Sequence, residues 1–291
     1  MDGFAKAVPY PTMKPVPCNG LTFPVLIWGP AKGRPILLLH GFPQEPLTWA
    51  PVAEALAQDG FQAFAPCQRG YATSTRPRGP GGYTFKKFVA DAIGIADTLD
   101  LRRFDLAGFG VGAVQAWMLA AYHPARIRSL AAFRYPHPAA FAQSMQSDLE
   151  QKDKWSRLQQ ELGGRNPDQK ATEMLANDAA GLRRFLASSG LPQPFLDRYV
   201  SRLQEPHALA GALSWNQAIS LDEFSVVPAV TAPTVYVWSE GPALARAAAE
   251  ATKHYVHARF TEISASNVGH FMLETSPATA IEPLRQHLRS S

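Results

Sequence analysis

Seven short apolar runs alternate with helix-like segments along this chain of 291 residues, and that alternation leaves few architectures open. The runs are LTFPVLIWG (21–29), RPILLLHG (34–41), FQAFAP (61–66), FDLAG (104–108), SLAAF (129–133), PTVYVW (233–238) and RFTEIS (259–264). Each has strand length and is bounded by Gly, Pro or polar residues. Between most of them lie segments such as WAPVAEALAQDG, TFKKFVADAIGIADTLD, VGAVQAWMLAAYH and ALARAAAEATKHYV, whose apolar residues recur at three and four, the helical period. Strands alternating with helices predict an α/β fold with a mostly parallel sheet covered on both faces. The rhythm breaks between about 136 and 224, where polar segments such as DLEQKDKWSRLQQELGG and DQKATEMLANDAAGLRRFLASSG carry helical spacing and almost no strand pattern. This predicts a helical cap of residues 136–224 inserted into a core of residues 1–135 and 225–291.

Composition excludes several function classes. The net charge is +4, from 28 Lys and Arg against 24 Asp and Glu, with no run of like charge, so no nucleic-acid stripe is expected. Two cysteines, Cys18 and Cys67, are too few for a disulfide framework or a cysteine-based metal cluster. The first residues contain no apolar leader, and no run approaches the roughly 20 apolar residues of a membrane span. The expectation is a cytoplasmic enzyme that acts on a small molecule, with no membrane or nucleic-acid partner, no metal and no cofactor. The oligomeric state is not legible.

LAGFGVGAV (106–114) runs from a strand through three alternate glycines into a helix, the pattern of a tight elbow that presents a nucleophile as GxSxG. The residue at the tip is Gly110. Other chemistry-bearing residues follow other strand ends: His40, Gly41, Phe42 and Pro43 in LLLHGFPQ, Cys67 in APCQRGYATS, and His270 in SNVGHF. In this order the chain resembles the α/β-hydrolase superfamily, and HGFP with QRGY resembles its epoxide-hydrolase and haloalkane-dehalogenase branch, from about residue 20 to 288.

That resemblance implies roles. The backbone N–H groups of Phe42 and Val111 would form an oxyanion hole, and His270 would be the base. Gly110 stands where the family has Ser or Asp, so covalent attack from this position is excluded. The family's acid belongs after PTVYVW, where this chain reads SEGPAL and Glu240 is the nearest carboxylate; its other location holds Arg134, in AAFRYP. The lid tyrosines of epoxide hydrolases are also missing. LSWNQA has Asn216 at one such place, and KDKWSRLQQ offers Trp155 near the other. His40, Pro43, Arg134, Trp155, Trp215 and Asn216 are therefore taken as candidate substrate contacts, with lid packing as the alternative for the tryptophans.

Several alternatives stay open. Cys67 could supply a thiolate in place of the missing nucleophile. Gly108, Gly110 and Ala113 also satisfy the GxGxxA of a dinucleotide-binding turn, with Arg134 about 20 residues on. The leading expectation is an enzyme without a protein nucleophile, performing cofactor-independent acid–base chemistry such as cyclisation, carbon–carbon bond formation, elimination or epoxide opening on a small, largely apolar substrate. The alternatives are a conventional ester or epoxide hydrolase, working through water or Cys67 or naturally bearing Ser or Asp at position 110, and a ligand-binding pseudoenzyme.

Overall fold

A computed structural model describes residues 11–77, 80–162, 166–241, 244–265 and 268–291. Its sheet contains eight strands: β1 (Thr12–Cys18), β2 (Leu21–Trp28), β3 (Arg34–Leu39), β4 (Phe61–Pro66), β5 (Phe104–Phe109), β6 (Ile127–Phe133), β7 (Thr234–Trp238) and β8 (Phe260–Ser264). The spatial order is β1-β2-β4-β3-β5-β6-β7-β8, with β1 and β2 antiparallel to their neighbours and the rest parallel. The seven apolar runs are thus strands, and the mostly parallel sheet is as the alternation predicts. An eighth strand, β1, lies in TMKPVPC, where Pro15 and Pro17 argue against a strand. It sits at the edge of the sheet, where a missing N–H leaves no ladder partner unpaired.

The central strands are buried on both faces. Every residue of β5 is buried, and two separate apolar clusters flank the sheet. One contains Trp117 of α3 (Val111–Tyr122) and Phe88 of α2 (Phe85–Thr98). The other contains Val52 and Leu56 of α1 (Ala50–Gln58), and Leu284 and Leu288 near the C-terminus. At the lower end of β5, the fully buried Asp105 accepts from Arg34 at 2.6 and 2.7 Å and from Ser129 at 2.8 Å. A charge-assisted bidentate pair of this kind ties β3, β5 and β6 together away from the ligand-binding edge.

Between β6 and β7 the described residues form six helices: α4 (Pro138–Ser147), α5 (Leu149–Glu161), α6 (Pro167–Ser188), α7 (Gln193–Leu203), α8 (Ala208–Gln217) and α9 (Leu221–Ser225). Four of the six, α4, α5, α6 and α9, start with a side-chain cap. Asp148 accepts from the N–H groups of Glu150 and Gln151, and Asn166 accepts from Gln169. Within α6, Asn177, Asp178 and Ala179 adopt positive φ and break the helix. After β7 come α10 (Arg246–Ala251), α11 (Met272–Thr275) and α12 (Ala278–Arg289). No described helix is long and apolar enough to cross a membrane.

Candidate active site

The upper ends of β3, β5, β6 and β7 surround a cavity of about 300 Å³ that the helical insert covers. Phe42, Gly110, Val111, Arg134, Glu240 and His270 line it from the sheet side; Leu158, Leu162, Phe185 and Asn216 line it from the insert. This is the edge at which an open α/β sheet binds ligands.

The elbow at the centre of the cavity is dictated by glycine spacing. A Cβ on Gly108 would lie 2.3 Å from the Gly112 carbonyl oxygen, and one on Gly112 would lie 2.4 Å from the carbonyl oxygens of Leu39 and His40. Strand and helix pack too closely there for any side chain. Gly110 differs: its φ is 57° and its ψ −126°, and a Cβ would meet only the Gly41 Cα, at 3.7 Å. The backbone turns as it must to present a side chain, the space for one is open, and none is present. Among the described residues, the N–H groups of Phe42 and Val111 donate to no acceptor. Both residues line the cavity.

His270 is half-buried, edge-on to Phe109 and Phe271, with Nε2 3.1 Å from the Phe42 carbonyl oxygen. A carbonyl only accepts, so the ring proton sits on Nε2 and the lone pair on Nδ1. Burial, and then the positive charge of Arg134, hold the imidazole down at about 4. It is therefore neutral at ordinary pH. No described carboxylate hydrogen-bonds to it. Glu240 lines the cavity, but it is exposed and pairs with Arg246 at 3.1 Å. The position expected to orient His270 thus holds a carboxylate turned to another partner. Pro242 and Ala243 of SEGPAL, and Ser266 and Asn267 of SNVGHF, lie outside the described residues.

Arg134 occupies the cavity with φ 78°, its backbone held by an N–H bond to the Val237 carbonyl (2.8 Å) and by the Tyr236 hydroxyl on its own carbonyl (3.2 Å). Its guanidinium donates to the Ser239 hydroxyl, which donates on to the Val268 carbonyl at 3.1 Å. Asn216 also faces the cavity, and its Nδ2 has no partner among the described residues. Beside Arg134, the Tyr135 ring lines the cavity, and its hydroxyl has no bond to a described residue; burial pushes that phenol up. Sequence reasoning passed over Tyr135 although it adjoins Arg134 in RYP.

Other expected contacts lie elsewhere. His40 is fully buried outside the cavity: Nδ1 donates to the Gly41 carbonyl at 3.0 Å, and Nε2 accepts from the Gln68 N–H at 3.3 Å. It braces the turn that carries Phe42. Trp215 is stacked on Phe88 at 4.2 Å with its N–H on the Arg69 carbonyl, and Trp155 packs edge-on against Phe141 at 5.3 Å. Neither tryptophan lines the cavity, nor does Pro43. Cys67 is also absent from the lining; burial pushes its thiol up to about 12, so thiolate is negligible at neutral pH. The remainder of QRGY is structural: Arg69 forms a bidentate pair with Asp91 at 2.6 and 2.8 Å, and the Tyr71 hydroxyl donates to Gly41. Among the described residues no three His, Cys, Asp or Glu side chains converge as a metal site.

The profile of the alpha/beta hydrolase fold family matches residues 34–277. The chain belongs to that family. This α/β-hydrolase is 27% identical to the AB hydrolase superfamily protein YfhM of Bacillus subtilis, over 94% of the chain and 96% of that protein. It is 25% identical to epoxide hydrolase A of Mycobacterium tuberculosis, over 96% and 97% of the two chains. It is 28% identical to mouse epoxide hydrolase 4, over 89% of this chain and 74% of that one. A crystal structure of Bacillus megaterium epoxide hydrolase with an inhibitor superposes with a TM-score of 0.83 over 95% of this chain and all of the other, at 19% identity, which is a likeness of fold. The three glycines serve the β5–α3 elbow of a hydrolase core, whose Arg134 sits in the cavity.

Proposed function

We propose that this α/β-hydrolase is an enzyme that acts without a covalent intermediate at the elbow. His270 moves the proton, and the N–H groups of Phe42 and Val111 hold an oxygen as it becomes anionic. One observation carries this reading: an open, correctly turned elbow with no side chain at Gly110 faces the same cavity as a neutral imidazole and two unengaged backbone donors. Charge stabilisation and positioning accelerate reactions with no covalent step. A glycine tip also leaves room for substrate atoms where a nucleophile would stand.

Within that class the named activities of the relatives favour epoxide opening. Water would add across a C–O bond, its proton going to His270 Nδ1 and the ring oxygen becoming an alkoxide held by the two N–H groups. The alkoxide would take its proton from Tyr135, which lines the cavity, and the His270 imidazolium would return a proton to the tyrosinate, so that both groups end as they began. Conventional hydrolysis through an enzyme ester would need an attacking group, which neither Gly110 nor the buried Cys67 supplies.

Turnover of aryl epoxides and p-nitrophenyl esters by wild type, His270→Ala and Gly110→Ser, with intact-protein mass spectrometry, tests the reading. Wild type is expected to turn over at least one substrate with unchanged protein mass, and His270→Ala to lose about 10²–10⁴-fold in kcat/KM, the usual scale of general acid–base catalysis. A wild-type adduct, or full activity of His270→Ala, would refute it.

A further inference from the structure

We infer that Arg134 and Asn216 form an anion-recognition subsite in the cavity and that the substrate is a small monocarboxylate whose acid group docks there. This rests on the cavity being the substrate site, as proposed above.

Arg134 is only 7% exposed, yet no described carboxylate pairs with it. Its one hydrogen bond to a described side chain goes to the neutral Ser239 hydroxyl, which leaves most of its N–H groups without an acceptor among the described residues. A buried, uncompensated guanidinium is costly unless an anion completes it. The two carboxylates that line the cavity do not: Glu161 and Glu240 are both exposed, and Glu240 is held by Arg246. A second orphan points to the same ligand. Asn216, 6% exposed, has a buried Nδ2 donor with no partner among the described residues, where burial ordinarily demands one. Arg134 comes from the residue after β6 and Asn216 from α8, so core and insert each bring a polar side chain to the lining of one cavity. The positive φ of Arg134, held by backbone bonds on both sides, is a strained conformation of the sort found where a side chain must be aimed.

Charge balance selects the anion. One guanidinium matches a monoanion, and a planar carboxylate accepts two parallel N–H bonds from it. Leu158, Leu162, Phe185 and Leu244 leave the remaining lining apolar, which suits a compact hydrocarbon or aryl body. An acid docked on Arg134 would also offset the positive charge that, after burial, weakens His270 as a base. Substrate arrival would thus strengthen the group that takes the proton.

Calorimetric titration of phenylacetate and of its uncharged isostere phenylacetamide, in chloride-free buffer, tests this without any knowledge of turnover. Wild type is expected to bind phenylacetate at least about tenfold more tightly, the scale of one charge-assisted bond. Arg134→Gln should erase that preference and leave phenylacetamide unchanged. Asn216→Leu, which removes an unpaired donor at little change in volume, should fold normally and weaken phenylacetate severalfold; it carries the test if Arg134→Gln does not fold. Equal binding of the two probes, no binding of either, a preference that survives Arg134→Gln, or an undiminished affinity in Asn216→Leu would overturn the inference. So would displacement of phenylacetate by an equal concentration of chloride or phosphate, which would make this a site for a free inorganic anion. The carboxylate preference and the His270→Ala activity loss are read separately, so either can fail alone.

Discussion

At Gly110 the backbone holds φ 57° although no neighbour within the cavity forbids a Cβ, whereas at Gly108 and Gly112 backbone carbonyls stand 2.3 and 2.4 Å from where a Cβ would lie. These are two different demands for glycine, and substitution separates them. Gly110→Ser is expected to cost about 1–3 kcal/mol, the strain of a side chain in a sparsely populated backbone region. Gly112→Ala should cost at least about 3 kcal/mol, because rigid carbonyls rather than side chains must give way. Urea unfolding of the two variants distinguishes them; equal losses would show that the elbow tolerates a side chain nowhere. The elbow was legible in the sequence because it is a backbone requirement written as glycine spacing. His40 was not legible as a structural residue, since a histidine after a strand reads alike whether its ring faces a ligand or its own loop. Only the carbonyl and N–H that occupy its two nitrogens decide. Tyr135 escaped for the opposite reason: nothing in its residue type marks a phenol that the fold sets in the lining of a cavity.

One set of polar ties between the helical insert and the core runs through α7. The Tyr199 hydroxyl donates to Glu274 of α11 at 2.5 Å and accepts from Thr48 at 2.6 Å, while Arg198 and Arg202 both reach Glu45 at 2.8 and 3.4 Å. Arg76 of the core meets Glu205, just past α7, at 2.8 Å. Phe185 of α6 adds an apolar contact, its ring 6.1 Å from that of Phe42. Tyr199 is almost fully buried, so Tyr199→Phe leaves Glu274 and Thr48 without their shared partner. The expected loss is about 1–3 kcal/mol, the cost of an unmet buried polar group. Faster amide exchange in α7 than in β5 would show that the loss falls on docking of the insert, and uniform exchange would show that it does not. Periodicity foretold helices in this stretch, but it could not foretell which of them clamps to the core. That depends on pairs more than 70 residues apart, such as Tyr199 and Glu274. The edge strand β1 was missed because its prolines are tolerated only by its position in the sheet, and no local pattern carries position.

Across the whole molecule, three imidazoles are sealed in the interior in forms that acid must disrupt. His40 and His137 each donate from one ring nitrogen and accept a backbone N–H at the other, which only the neutral ring does. His287 is buried with no partner for Nε2 among the described residues, and burial is the leading cause that lowers all three to about 4, from 6.5 in an unfolded chain. With the folded value depressed, the unfolded chain binds protons first, so stability is intact above about pH 6.5 and drains away as pH falls towards 4. Each such ring contributes up to about 3 kcal/mol to that loss, and three together rival a typical total stability of about 5–15 kcal/mol. Glu274 works the other way. Burial raises it to about 7, so its contribution is full below its unfolded value and is lost as pH rises through 7. One carboxyl offsets roughly one histidine, which leaves a net fall on the acid side. Urea midpoints are therefore expected to peak near pH 6–7 and to collapse between pH 6 and 4, where the sealed histidines set the acid limit of the fold. A midpoint that stays level from pH 7 down to 4.5 would mean that these rings find water or a counter-charge on protonation. The interior would then be more open than its hydrogen bonds describe.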